Sequence, residues 1–279
     1  CMEHVKVPIT LESIGFVHNS IYQQQHSPES KLELFAANLE YYAQQRDFMA
    51  QDTTSGLSSD LRFGTVSIRA VLRWISLQKK VGIDTEPFFR QLIFREFYAM
   101  LLVHFPHLNE RNFRYPFKGI PNIDSFDAFC TAKTGVPIVD AGIRELLQTG
   151  QMHNRVRMIT ASFFTKNLLL PWQWGEHFFS KHLMDYDASS NILSWQWSAG
   201  TGVDPQPYFR IFNPYTQAKK FDPEGKYIHR WIPELSSISP QILHNEEVLN
   251  LLVLNNYPHP IVSHKVSSKE ALKYFYENL

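Results

Sequence analysis

The chain has 279 residues, 44% of them hydrophobic, enough to bury a substantial core as one large domain or two small ones. Lysine plus arginine and aspartate plus glutamate both number 27, so net charge alone gives no pointer to nucleic acid, although a neutral total can hide a basic face. Cys1 and Cys130 form no CxxC pair, the apolar runs 99–103 and 168–170 are far too short to span a bilayer, and no secretory signal is visible, so a reducing, cytoplasmic setting is expected.

Residues 1–30 carry Pro8, Gly15 and Pro28 around a Gln/His/Ser run and read as a linker. Met is only the second residue, and this irregular opening reads as a chain cut within that linker. From residue 31 the pattern turns helical, with Leu32, Phe35, Leu39 and Tyr42 at three- and four-residue steps. Further helical periods are expected at 67–78, 86–104, 137–148, 154–169, 176–183 and 222–231. Pro137 suits a first turn and Gly150 a stop. Alternation of the strand kind is scarce and no repeat is found. The expectation is an all-α domain over 31–279.

Four segments carry candidate chemistry. Thr54, Ser55, Gly56, Leu57 and Ser58 set hydroxyls and a glycine just ahead of a helical segment. Free N–H groups at a helix start suit a pyrophosphate, while ordinary N-capping is the plainer alternative. In QLIFREFY (91–98), Gln91 and Phe94 share a helix face, and Phe94 could either pack in a core or stack on a ligand. In MHNRVRM (152–158), Asn154 and Met158 share a face, and Arg157 is placed to pair with an acid such as Asp185; His153 reads as structural.

The densest stretch is 185–217, DYDASSNILSWQWSAGTGVDPQPYFRIFNPYTQ. A plain core helix would not spend Asp185, Asp187 and Asn191 on neighbouring turns, because each buried polar group needs a partner. A helix end holding a large planar ligand with a polar rim needs that mixture. The same three residues could make an oxygen ligand set for a cation. No phosphate-transfer machinery accompanies them, and His177 and His182 lack an HExxH frame, so no metal site is assigned.

These segments together resemble the flavin-binding core of the photolyase/cryptochrome family, and within it the catalytic domain of class I enzymes acting on cyclobutane pyrimidine dimers. The resemblance runs from about Tyr42 to Leu235. It implies an all-α fold with the family's N-terminal α/β antenna domain absent, bound FAD, and a damaged-DNA substrate met by a monomer. Tyr42 matches a flavin-contacting tyrosine, and 54–58 the phosphate-cradling TSRLS, with Gly56 for its Arg. Asp185 and Asp187 fall near the ribityl chain and ring, with Arg157 beside them, and Asn191 faces flavin N5. Asn154 and Met158 match the pocket for a flipped dimer, where six-four enzymes carry His. Arg46, Asn154, Arg155 and Gln217 match DNA contacts. Gln91 and Phe94 stand where repair enzymes usually carry Glu and Trp, and support the alternative of a cryptochrome-like photoreceptor without repair. Trp195 and Trp172 match the inner and middle members of three Trp that pass electrons to the flavin. The outer position falls on Phe129, which is hard to oxidise, so an interrupted series is expected unless another Tyr or Trp takes its place.

Overall fold

The computed structural model describes residues 10, 12–15, 26–254 and 256–279. The expected linker therefore lies mostly outside the described residues. Every longer regular element among them is helical. Helix α1 (Pro28–Ala36) begins where the Ser27 hydroxyl accepts from the Ser30 N–H, with Pro28 in the first turn, so the helical region opens three residues before position 31.

Two short helices follow, α2 (Tyr42–Gln45) and α3 (Ser58–Phe63), and then two long ones, α4 (Ile68–Lys80) and α5 (Glu86–His104). Leu32, Phe35, Leu39, Tyr42, Leu57, Val71, Ile75, Phe88 and Leu92 close a first apolar core between them. α5 outruns that core, and its far half packs through Leu101 against Leu108 and Leu193.

The larger core gathers α6 (Ile123–Cys130), α7 (Pro137–Thr149), α8 (Asn154–Ser162), α9 (Trp172–His182), α10 (Ala188–Ala199), α11 (Pro214–Phe221) and α12 (Lys226–Trp231). α7 opens on Pro137 and stops at Gly150, whose φ of 68° is open to glycine at no steric cost. α8 stops short of the expected 169. Its α-helical bonds end at Ser162, and Phe163–Asn167 continue as a π-helix. In that wider turn Lys166 and Asn167 point inward, to the Arg210 carbonyl and to Ser267. α9 starts at Trp172, ahead of the expected 176, because Pro171 opens it. α12 starts at Lys226 and not at 222, because the Asp222 carboxylate caps it from outside through the Tyr227 and Ile228 N–H groups.

α10 lies at the centre, packed on α9, α5 and α8. Its buried Gln196 is fully satisfied: the side-chain oxygen accepts from Phe113 N–H and the amide donates to the Leu108 and Arg111 carbonyls. The short α13 (Pro240–Leu243) and α14 (Glu246–Leu249) lead to the C-terminal α15 (His264–Glu277). That end is pinned back by Tyr257, whose hydroxyl donates to buried Asp140, and by Asn167, which donates to Ser267.

Candidate functional site

The loop from α9 into α10 is where the polar residues converge. Arg157, on α8, puts one guanidinium nitrogen 3.0 and 2.9 Å from the two Asp185 oxygens. Its Nε donates to the Met152 carbonyl, which fixes the plane of the fork. Asp187 caps α10 by accepting from Ser190 N–H and the Ser189 hydroxyl. Burial raises the Asp187 pKa, but these hydrogen bonds outweigh it and hold the group below the usual carboxylate range. With Asp185 bound to an arginine and Asp187 to a helix start, neither is left for a cation. Among the described residues no group of three or more His, Cys, Asp or Glu is arranged to hold one.

Asn191 stands one turn into α10, its amide donating to the Glu176 carbonyl at 3.3 Å and to the Glu176 carboxylate at 3.0 Å. The Tyr186 hydroxyl donates to the same carboxylate oxygen at 3.1 Å. Burial, with Glu176 beside it, pushes the Tyr186 phenol up to about 12. Glu176 and Tyr186 are functional candidates that the sequence reading missed. Glu176 stood at the expected start of a helix, and nothing local signals its bond to a residue on the next one.

The 54–58 segment leads into α3, whose Arg62 reaches this loop. Gly56 takes φ 62°, and Leu57, at the cap position before α3, makes no side-chain cap. Among the described residues the Thr54 and Ser58 hydroxyls have no hydrogen-bond partner, and both residues are exposed. Ser55 accepts weakly from Leu57 N–H. Arg62 ties the segment to the acid loop through the Tyr186 carbonyl, 124 positions away. A molecule with phosphates at 54–58 and a ring near Asn191 would thus span two neighbouring faces. Exposed hydroxyls, free helix N–H groups and an unpartnered amide oxygen on Asn191 are the donor and acceptor set that FAD requires. Tyr42 is buried against Phe35 and Phe88, with burial raising its pKa and the Arg46 guanidinium over its ring.

Elsewhere on α8, Asn154 and Met158 do share a face, the amide nitrogen 3.8 Å from the sulfur. Arg46 and Gln91 line one cleft of about 320 Å³ together with Arg90, Glu86 and Pro87. Phe94 is 52% exposed, which removes the core-packing alternative for it. Of the expected DNA contacts, Arg155 is engaged within the protein and Gln217 is partly buried. Arg155 pairs with Asp47 at 2.5 Å and lies over the Phe221 ring at 4.4 Å, tying segment 46–48 to α8 and α11. Gln217 has its side-chain oxygen sealed inside the protein without a partner. His153 caps α8 through Nδ1, and burial pulls its pKa down to about 4, so its role is structural as expected.

Trp195 is buried between Phe164 and Phe179, its ring against the backbone of α9 at Gly175. Trp172, one turn earlier on α9, donates its ring N–H to Asn112. Phe129 corrects the expectation of a surface position. It is completely buried, packed on Phe164 and Phe178, because α6 turns it into the main core.

No helix among the described residues is long and apolar enough to cross a membrane. Residues 88–277 match the family model described as the FAD binding domain of DNA photolyase. The deoxyribodipyrimidine photo-lyase of Alkalihalophilus pseudofirmus is 41% identical over 257 residues, which cover 88% of this chain and 54% of that protein. Among solved structures, the bacterial class III photolyase of Agrobacterium tumefaciens superposes with a TM-score of 0.83 at 40% identity, over 90% of this chain and 55% of that one. A Synechocystis cryptochrome gives 0.82 at 29% identity, over 92% and 58%. The chain spans about half the length of the curated relatives it matches. With the matched region running through the acid loop, Asn191 and both tryptophans, the chain belongs to the photolyase family, in the region of its FAD-binding domain.

Proposed function

We propose that this chain is the flavin-binding catalytic part of a light-driven lyase that splits cyclobutane pyrimidine dimers in DNA. The observation that carries the reading is the division of labour on α8. Arg157 holds Asp185 on the flavin side, while Asn154 and Met158 on the same helix meet at a face fit for the lesion. When bound, reduced and light-excited FAD supplies the electron that opens the cyclobutane ring. The protein contributes binding, orientation and electrostatics. Arg157 keeps the Asp185 carboxylate paired beside the ring, so that group is not left a lone buried charge. The Asn154 amide can bond a base edge, and the Met158 thioether offers a soft apolar contact. Phe94 presents a ring for stacking, and Gln91 and Arg46 line the cleft with an amide and a cation. A dimer flips out of the duplex at low cost because its pairing is already weakened.

The test is illumination of the reduced, FAD-loaded protein with an oligonucleotide carrying one thymine dimer. Loss of the dimer in light and not in darkness is the expected result. A second reading, a photoreceptor of the cryptochrome kind, draws on Gln91: it brings no negative charge to the lesion, and its amide is bonded to the Pro87 carbonyl. Flavin photochemistry without dimer loss would establish that second reading. A purified protein that takes up no flavin would defeat both.

A further inference from the structure

Phe129 is completely buried, and its ring is far harder to oxidise than an indole, so it cannot end a series of electron donors. The seam that holds it also holds a tryptophan. Phe126 and Phe129 are three apart on α6, and Trp174 and Phe178 four apart on α9, so they meet as two successive rungs. Phe129 packs on Phe178 with centroids 6.1 Å apart, and Phe126 on Trp174 at 5.2 Å. Trp174 and Phe126 are only half-buried, so the second rung, unlike the first, reaches solvent. Trp174 is also joined to Trp195 in two ways. Its chain neighbour Gly175 lies so close to Trp195 that an added Cβ would stand 2.2 Å from the six-membered ring. Separately, edge-to-face rings run from Trp174 to Phe126, Phe164 and Trp195 in centroid steps of 5.2, 6.1 and 5.4 Å. Trp172 has other surroundings. Asn112 accepts from its ring N–H, and it borders a cavity of about 20 Å³ with Tyr274.

We propose that Trp174 is the solvent-facing outer member of the tryptophan series, filling from α9 the role that Phe129 cannot fill from α6. The inference rests on the reading that the chain holds FAD, and adds the route by which electrons reach it. Trp195 gives one electron to the light-excited oxidised ring. Trp174 returns one electron to Trp195, and Trp172, two positions earlier on the same helix, can pass it as the middle member. A soluble thiol then returns one electron to Trp174 and releases its S–H proton to water, and two such thiols pair as a disulfide. Two rounds deliver two electrons. An indole can stand as a cation without first losing a proton, so the transfer needs no proton acceptor inside the seam. Tyr274, the rival outlet beside Trp172, has to release its phenol proton as it is oxidised.

The experiment illuminates the full chain loaded with oxidised FAD. Absorbance follows reduction of the ring in the presence of dithiothreitol, and EPR identifies the protein radical formed without it. Flavin content and Tm report binding and folding beside them. Trp174→Phe, which keeps a ring against Phe126, should slow reduction by roughly tenfold or more and remove the long-lived tryptophanyl signal. Tyr274→Phe should match the parent in both. In the dark, limiting N-bromosuccinimide should oxidise Trp174 ahead of Trp172 and Trp195, read by peptide mass. Parent-like reduction in Trp174→Phe, a radical on Tyr274, or a Trp174 that resists the reagent overturns the proposal while leaving flavin binding intact. Absence of flavin in the parent overturns the functional reading and this inference with it. Should Trp174→Phe fail to fold, the order of oxidation and the rate in Tyr274→Phe decide the matter on folded protein.

Discussion

Gln91 lines the cleft with Arg46 and Phe94 is exposed one turn further along α5, yet each is a weaker version of what a lesion pocket can use. Gln91 keeps a hydrogen bond without the charge, and Phe94 keeps a stacking face of smaller area. A charge-assisted hydrogen bond and a base–aromatic stack each contribute on the order of one to three kcal/mol. The double change Gln91→Glu with Phe94→Trp should therefore tighten binding to dimer-containing DNA by about tenfold, read by titration against undamaged DNA. Equal affinity for the parent and the double variant would place the lesion elsewhere. Two contacts of the site, Arg157 with Asp185 and Asn154 with Met158, were readable from residue type and spacing. Arg157 with Asp185 is one such case: a part-buried cation on α8 meets an acid 28 positions further on, as its type and place beside Asn154 led one to expect. Glu176 was not readable, because its partner is chosen by how α9 crosses α10, which no local pattern encodes. Phe129 was misplaced for the same reason: a sequence position at an expected edge says nothing of the depth to which α6 turns it.

Among the elements, α5 matched its expected bounds of 86–104, because Pro87 starts it and its apolar period is unbroken. α10 escaped notice as an element. It is buried on nearly all sides, so it has no amphipathic stripe to read. The contact of α9 with α10 turns on Gly175, where an added Cβ would strike the six-membered ring of Trp195. Gly→Ala inside a helix ordinarily stabilises by about 0.5–1 kcal/mol. At Gly175 it should instead destabilise by about 1–3 kcal/mol through overpacking and should shift Trp fluorescence. A Gly175→Ala protein of raised Tm with unchanged emission would contradict that packing. The π-turn after α8 makes a second prediction. Lys166 is buried with only carbonyls for partners, and burial draws its pKa down to about 7 from 10.5. The unfolded chain therefore binds more protons between pH 7 and 10.5, so this group's penalty is full below pH 7 and fades as pH rises through that window. Relative to Lys166→Met, the parent should gain stability from pH 7 to 9. Parallel pH profiles for the two proteins would exclude it.

Across the whole molecule, the C-terminal segment closes the fold by returning to its middle. The Asp140 carboxylate accepts from Thr134 N–H, the Thr134 hydroxyl, Gly135 N–H and the Tyr257 hydroxyl. Its burial raises the pKa, and the four donors oppose that rise. Tyr257→Phe should cost about 1–3 kcal/mol, read as a lower denaturation midpoint at constant slope. No change in midpoint would show that the remaining three donors suffice. The two apolar cores have a different relation. The first closes almost wholly within residues 32–92, and its polar ties to the rest run through few side chains, chiefly Arg62 to Tyr186 and Asp47 to Arg155. In polymer terms the Arg62 tie bridges a contour of 124 residues with a single bond. A ligand spread from 54–58 to Asn191 would lie across that seam and fasten it like a clasp, so amide hydrogen exchange in α1 to α4 should slow on loading with FAD. The same clasp makes the ligand part of the fold's mechanics: its departure would be felt first as opening of the first core, well away from the ring.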